Sequence, residues 1–264
     1  IGYRGDESAS PGDGTTATGE GTGPIRAVDF AGQDLVVRLA ANHGVRRLNL
    51  IDPAGATYRQ TAVARGATTV QLPILAINAD VGGYEHYDPG TYELVAVRDE
   101  WAVTRELDLR PSLEIVDVEQ YREGGSTEEL AKLAVTVRNR GSGPTWVHAI
   151  EYRNVPFDGA NVDSGDDPPI PRISVPSTGK DLILTPGQEQ EYVGTLSPFT
   201  YSDDQNRECN GVVEMTVLVD VPTQEYVEQQ IRASIGGKIR RTGYLDDYTC
   251  SDIKVTLIDR DHGE

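Results

Sequence analysis

The chain has 264 residues, 42 acidic against 24 basic, giving a formal net charge of −18 and a pI near 4.6. That is enough for one large domain or two ordinary ones, and no stretch approaches the roughly 20 apolar residues of a membrane-spanning helix. A surface this negative repels phosphate backbones and anionic lipid, so nucleic acid and bare membrane leave the set of expected partners.

Residues 1–23 hold seven Gly, and only Ile1 and Tyr3 are large and apolar. Such a segment cannot bury enough surface to offset its ordering entropy, which predicts a flexible tether over 1–23. The chain starts at Ile1 with no Met, as expected of a processed start or a trimmed boundary. From Pro24 the pattern becomes period two. Leu35, Val37 and Leu39 alternate with Val36, Arg38 and Ala40, Leu48 and Leu50 flank Asn49, Val70 and Leu72 flank Gln71, and the same period runs through residues 92–97 and 101–109. The turns Asn42-His43-Gly44, Asp52-Pro53-Ala54-Gly55, Arg65-Gly66 and Asp88-Pro89-Gly90 separate them. Short strands at this spacing, with no helical period, predict an antiparallel β-sandwich over 24–110, in which 81–87 is a longer loop.

Pro111 cannot donate to a continuing ladder, so Arg110-Pro111 is the expected joint between domains. A second domain over 111–264 begins with strands at 113–118 and 133–138. A strand follows that carries Trp146, His148, Ile150 and Tyr152 on one face, and further strands are expected at 211–221, 226–235 and 252–259. Val227, Ile231 and Ile235 fit one face of a helix, but the alternation from Val227 to Ile235 fits a strand as well, and the strand is the reading adopted. The fold class expected is all-β: two tandem antiparallel, immunoglobulin-like β-sandwich domains behind a disordered N-terminal tether.

Residues 133–146, LAVTVRNRGSGPTW, resemble the opening hairpin of CARDB-type domains of the immunoglobulin-like fold. There a strand ends in Val-x-Asn-x-Gly and the chain turns into the next strand. Residues 184–196, LTPGQEQEYVGTL, resemble the Pro-Gly-preceded strand of the same family. The insert 157–179 and the tail after Pro222 are longer than a minimal module of that family carries. The basic residues divide into 20 Arg and only Lys132, Lys180, Lys238 and Lys254. With excess carboxylate and few large aromatics, this composition resembles that of haloarchaeal proteins, because dense carboxylates hold hydration and molar salt screens their repulsion. The tether resembles the stalk of exported haloarchaeal (lipo)proteins, which implies an extracellular, surface-tethered location. The membrane would then be reached only through an upstream anchor.

Few residues invite chemistry. Cys209 and Cys250 are the only cysteines, both in polar settings, and an even count in an exported chain predicts a disulfide. Closing that loop contributes about 4 kcal/mol on the chain-entropy model. Asp158, Asp163, Asp166 and Asp167 crowd one loop. Oxygen-rich loops can hold calcium, with Asp163, Asp166 and Asp167 as the candidate ligands, but the spacing is not that of an EF-hand. In so acidic a chain a solvated face is the competing reading. His86 with Tyr84 and Tyr87 forms a candidate aromatic ligand surface, set against packing of that loop onto its own sandwich. His148 reads as a core or interface histidine. No HExxH, nucleophile elbow or phosphate-binding loop occurs, and no cofactor is expected. The function expected is therefore non-catalytic: a structural or adhesive surface module that meets other envelope proteins or a glycan. A ligand- or glycan-binding accessory subunit of an envelope enzyme or transporter, and a structural protein of a haloarchaeal virus, are the alternatives.

Overall fold

A computed structural model of the chain describes residues 23–78, 83–155, 171–201, 208–242 and 247–258. The N-terminal segment 1–22 and the candidate calcium ligands Asp163, Asp166 and Asp167 lie outside the described residues.

The fold is all-β and antiparallel, as the turn spacing predicts. The first half contains β1 (Ile25–Ala31), β2 (Asp34–Leu39), β3 (Arg47–Ile51), β4 (Thr57–Ala62), β5 (Thr69–Pro73), β6 (Ala76–Asn78), β7 (Gly83–Glu85), β8 (Gly90–Val97) and β9 (Ala102–Leu109). They form a three-stranded sheet in the order β1-β2-β5, a four-stranded sheet in the order β4-β3-β8-β9, and the β6-β7 hairpin. Leu35 and Val37 from one sheet and Leu48, Leu50 and Leu94 from the other are fully buried in a shared core. The alternation therefore reports the buried face directly. Residues 83–85, expected inside a loop, pair with β6 instead, with Ile77 opposite Tyr84.

The second half contains β10 (Leu113–Gln120), β11 (Leu133–Asn139), β12 (Thr145–Trp146), β13 (Ala149–Arg153), β14 (Ile173–Val175), β15 (Ile183–Leu184), β16 (Glu189–Gly194), β17 (Gly211–Val221), β18 (Gln224–Arg241) and β19 (Tyr248–Leu257). Two four-stranded sheets, β10-β11-β16-β14 and β13-β17-β18-β19, enclose the core, and β12-β15 is a short separate pair. Among the described residues, no strand up to Leu109 shares a ladder with a strand from Leu113 onward.

Three expectations need correction. The strand expected to carry Trp146 to Tyr152 is broken: Trp146 pairs with Ile183 in β12-β15, whereas Ile150 and Tyr152 pair with Val219 and Val217 in another sheet. Every residue from Thr145 to Tyr152 is buried, so the run carries no alternation to reveal the break. Residues 173–175, placed within an insert, form β14 on the edge of β16. The last strands also run longer than expected, since β18 extends to Arg241 and β19 begins at Tyr248.

The turn Asn139 to Pro144 fastens the two halves. Asn139 is fully buried, and its Nδ2 donates to Gly143 O (2.9 Å) and Leu184 O (3.0 Å). Its Oδ1 accepts from Gly141 N–H (2.9 Å) and Ser112 N–H (3.3 Å). Gly141 lies so close to the Arg110–Pro111 backbone that a Cβ there would overlap Arg110 O and sit 2.6 Å from Pro111 C. The Val-x-Asn-x-Gly pattern thus has a physical reading in this chain: the Asn closes the turn, and the Gly admits the backbone of the joint.

Candidate functional site

The candidate aromatic residues gather where the two halves meet. Tyr84 on β7 and the segment that follows it face Pro144, Thr145, Trp146 and His148 on and beside β12. The Tyr84 ring meets Trp146 edge-on at 5.6 Å and His148 edge-on at 5.2 Å. His86 lies 4.9 Å from Trp146 and 4.5 Å from Tyr87, centroid to centroid. Tyr87, fully buried, donates its hydroxyl to Pro144 O at 2.6 Å and stands edge-on to Tyr92 at 6.1 Å. The expected alternative was packing of this loop onto its own sandwich. It packs on both sides at once: Tyr87 reaches back to Tyr92 of the first half, and His86 and Tyr84 reach across to the second.

The hydrogen bonds of His86 fix its tautomer. Nδ1 lies 2.7 Å from Tyr87 O, so it carries the proton and donates. Nε2 then accepts from the Thr145 hydroxyl at 3.1 Å. Burial pushes the His86 pKa down to about 4, because the surrounding rings and backbone cannot solvate an imidazolium as water does. Burial also pushes Tyr87 well above the ordinary phenol range, and Tyr92 up to about 12, keeping both hydroxyls protonated as donors.

Behind this joint lies a second polar group, of which the sequence singled out only His148. His148 is fully buried, with Nδ1 3.5 Å from Asp220 Oδ2. Its backbone N–H donates to Asp220 O at 2.8 Å, and its carbonyl accepts from Arg172 N–H at 2.8 Å. Glu151, only 1% exposed, is paired with the Arg172 guanidinium. Glu151 Oε2 and Arg172 Nε have no hydrogen-bond partner among the described residues. Asp220 and Glu151 share a sheet face, because Asp220 opposes Ala149 and Glu151 opposes Leu218. The available signal was weak: a charged residue inside each of two apolar runs, AIEYR and VLVDV.

His43 is likewise structural: Nδ1 accepts from Val45 N–H at 2.9 Å, so Nε2 donates to Ala67 O at 2.8 Å. Among the described residues no group of three or more His, Cys, Asp and Glu side chains could hold a metal ion. No described helix is long and apolar enough to cross a membrane. Cys209 and Cys250 form the expected disulfide, with Cα atoms 5.6 Å apart across 41 positions. It ties the start of β17 to β19. No family model matches the chain, and no curated protein matches it.

Proposed function

We propose that the chain is a non-catalytic structural or adhesive module of the surface of a halophilic archaeon, presenting β-sandwiches to other envelope proteins. On this reading residues 24–110 and 111–264 are tandem domains behind the tether 1–23. The observation that carries it is the joint: Tyr84, His86 and Tyr87 are engaged by Trp146, Thr145 and Pro144. Rings packed edge-on in this way contribute about 1 kcal/mol per pair beyond their buried area. They make a stiff connection between the halves, which suits a spacer or adhesive stalk. The Cys209–Cys250 bridge fits an oxidising location, and the −18 charge with few Lys fits solvation in high salt.

The test is made in cells. Acid-quenched cultures are treated with a thiol-reactive mass tag, and intact cells are exposed to a protease. The reading requires Cys209 and Cys250 untagged before reduction and the chain cleaved from outside. Tagged cysteines in a protease-protected chain would overturn it.

A further inference from the structure

The net charge of −18 makes any concentration of positive charge stand out, and one exists at the end of β18. Residues 238–241, Lys-Ile-Arg-Arg, are the only four-residue window of the chain with three basic side chains. Beside them is a cavity of about 270 Å³ whose lining includes Tyr121, Arg122, Thr127, Glu129 and Arg240. At roughly 30 Å³ per water it has room for about nine waters, the space of one sugar ring or one acylated amino acid.

The fold builds this concavity from two directions. On one side, Ser126 and Glu129 bond each other in the loop that leads into a short 3-10 turn, Glu129–Ala131. Glu129 Oε2 accepts from Ser126 Oγ (3.2 Å), and Glu129 N–H donates back to Ser126 Oγ (3.3 Å). That carboxylate is therefore already engaged by the loop. On the other side, a bulge at Gly236–Gly237 shifts the register of β18 on β19. Gly237 has φ of +80°, and a Cβ there would overlap Ser251 Oγ, so the bulge depends on glycine. Beyond it Arg240 stands opposite Thr249, whose buried hydroxyl oxygen has no hydrogen-bond partner among the described residues.

The two guanidiniums differ in their commitments. Arg122 reaches Asp252 at 3.2 Å, with both side chains about half exposed, a weak pairing that a ligand can displace. Arg240 is exposed and makes no ion pair or side-chain hydrogen bond among the described residues. With Glu129 held by the loop and Asp252 paired with Arg122, Arg240 is the one cation of the lining left uncommitted among the described residues. That matches a singly charged carboxylate better than a phosphate dianion, and the planar guanidinium fork suits it geometrically.

We propose that this cavity binds a small carboxylate-bearing ligand the size of one sugar or one acylated amino acid, with Arg240 and Arg122 holding its carboxylate. The site does not depend on where the protein resides. Glucuronate and N-acetylaspartate carry the same carboxylate on the two kinds of frame, and glucose is the uncharged control. Each is titrated into the full chain, in salt at which it is folded, while spectra that resolve the arginine Nε–Hε groups are recorded. One or both carboxylates should shift the Arg122 and Arg240 signals saturably, the tighter one naming the frame, and glucose should shift neither. Arg240→Gln should weaken binding about tenfold, and Arg240→Lys should recover only part of it. Arg122→Gln provides a second, independent loss, and Lys180→Gln, exposed on another element outside the cavity, should leave affinity unchanged. Absence of saturable shifts with both carboxylates, an equal response to glucose, or unchanged affinity in Arg240→Gln and Arg122→Gln would overturn the proposal.

Discussion

Asn139 satisfies four backbone groups from three segments of chain: Gly141, Gly143, Leu184 and Ser112. Removing a buried group with several partners strands each of them at about 1–3 kcal/mol. Asn139→Ala should therefore lower stability by about 3 kcal/mol in denaturant unfolding at constant salt; a loss within experimental error would contradict this role. His86 makes a pH prediction. Its folded pKa is about 4, below the usual histidine value of about 6.5, so the unfolded chain binds the extra proton between those limits. The stabilisation is complete above about pH 6.5 and declines as the pH falls through about 4, by at most about 3 kcal/mol. Denaturation midpoints measured across that window should fall with acid in the wild type, and His86→Gln should flatten this part of the profile. Parallel profiles would show that other groups carry the pH dependence.

At the scale of elements, legibility followed burial on one face against two. β2, β3, β5 and β8 alternate because one side of each meets the core, and their positions were readable from Leu35, Leu48, Val70 and Leu94. The break between β12 and β13 was not, because both faces are covered and periodicity disappears. The joint was invisible for another reason: His86 and Thr145 are 59 positions apart, and alternation carries only local information. The Tyr84, His86 and Tyr87 group was legible as an aromatic cluster, but its partners were not. The Cys209–Cys250 bridge closes a separation of 41 residues, so Cys209→Ser with Cys250→Ser should destabilise the chain by about 4 kcal/mol on the loop-entropy model. Calorimetry with and without reductant measures this, and equal melting temperatures would contradict it. Gly141→Ala should destabilise more than Gly23→Ala, because its Cβ meets the Arg110–Pro111 backbone whereas a Cβ at Gly23 meets only Val103 at 3.7 Å.

For the whole molecule, the charge of −18 makes stability depend on screening. Raising salt from about 0.1 M to about 1 M shortens the Debye length from about 10 Å to about 3 Å, so the melting temperature should rise over that range; a fall would remove the halophilic reading. The more direct question is whether the aromatic joint holds the two halves as one stiff body. Non-cysteine spin labels at the exposed Arg65 and Lys254, one in each half, measure it through the distance distribution between them. The structure requires a single narrow distribution in the wild type that broadens in Tyr84→Ala with His86→Ala. A broad distribution in the wild type, or a narrow one that survives both substitutions, would contradict the role assigned to the joint.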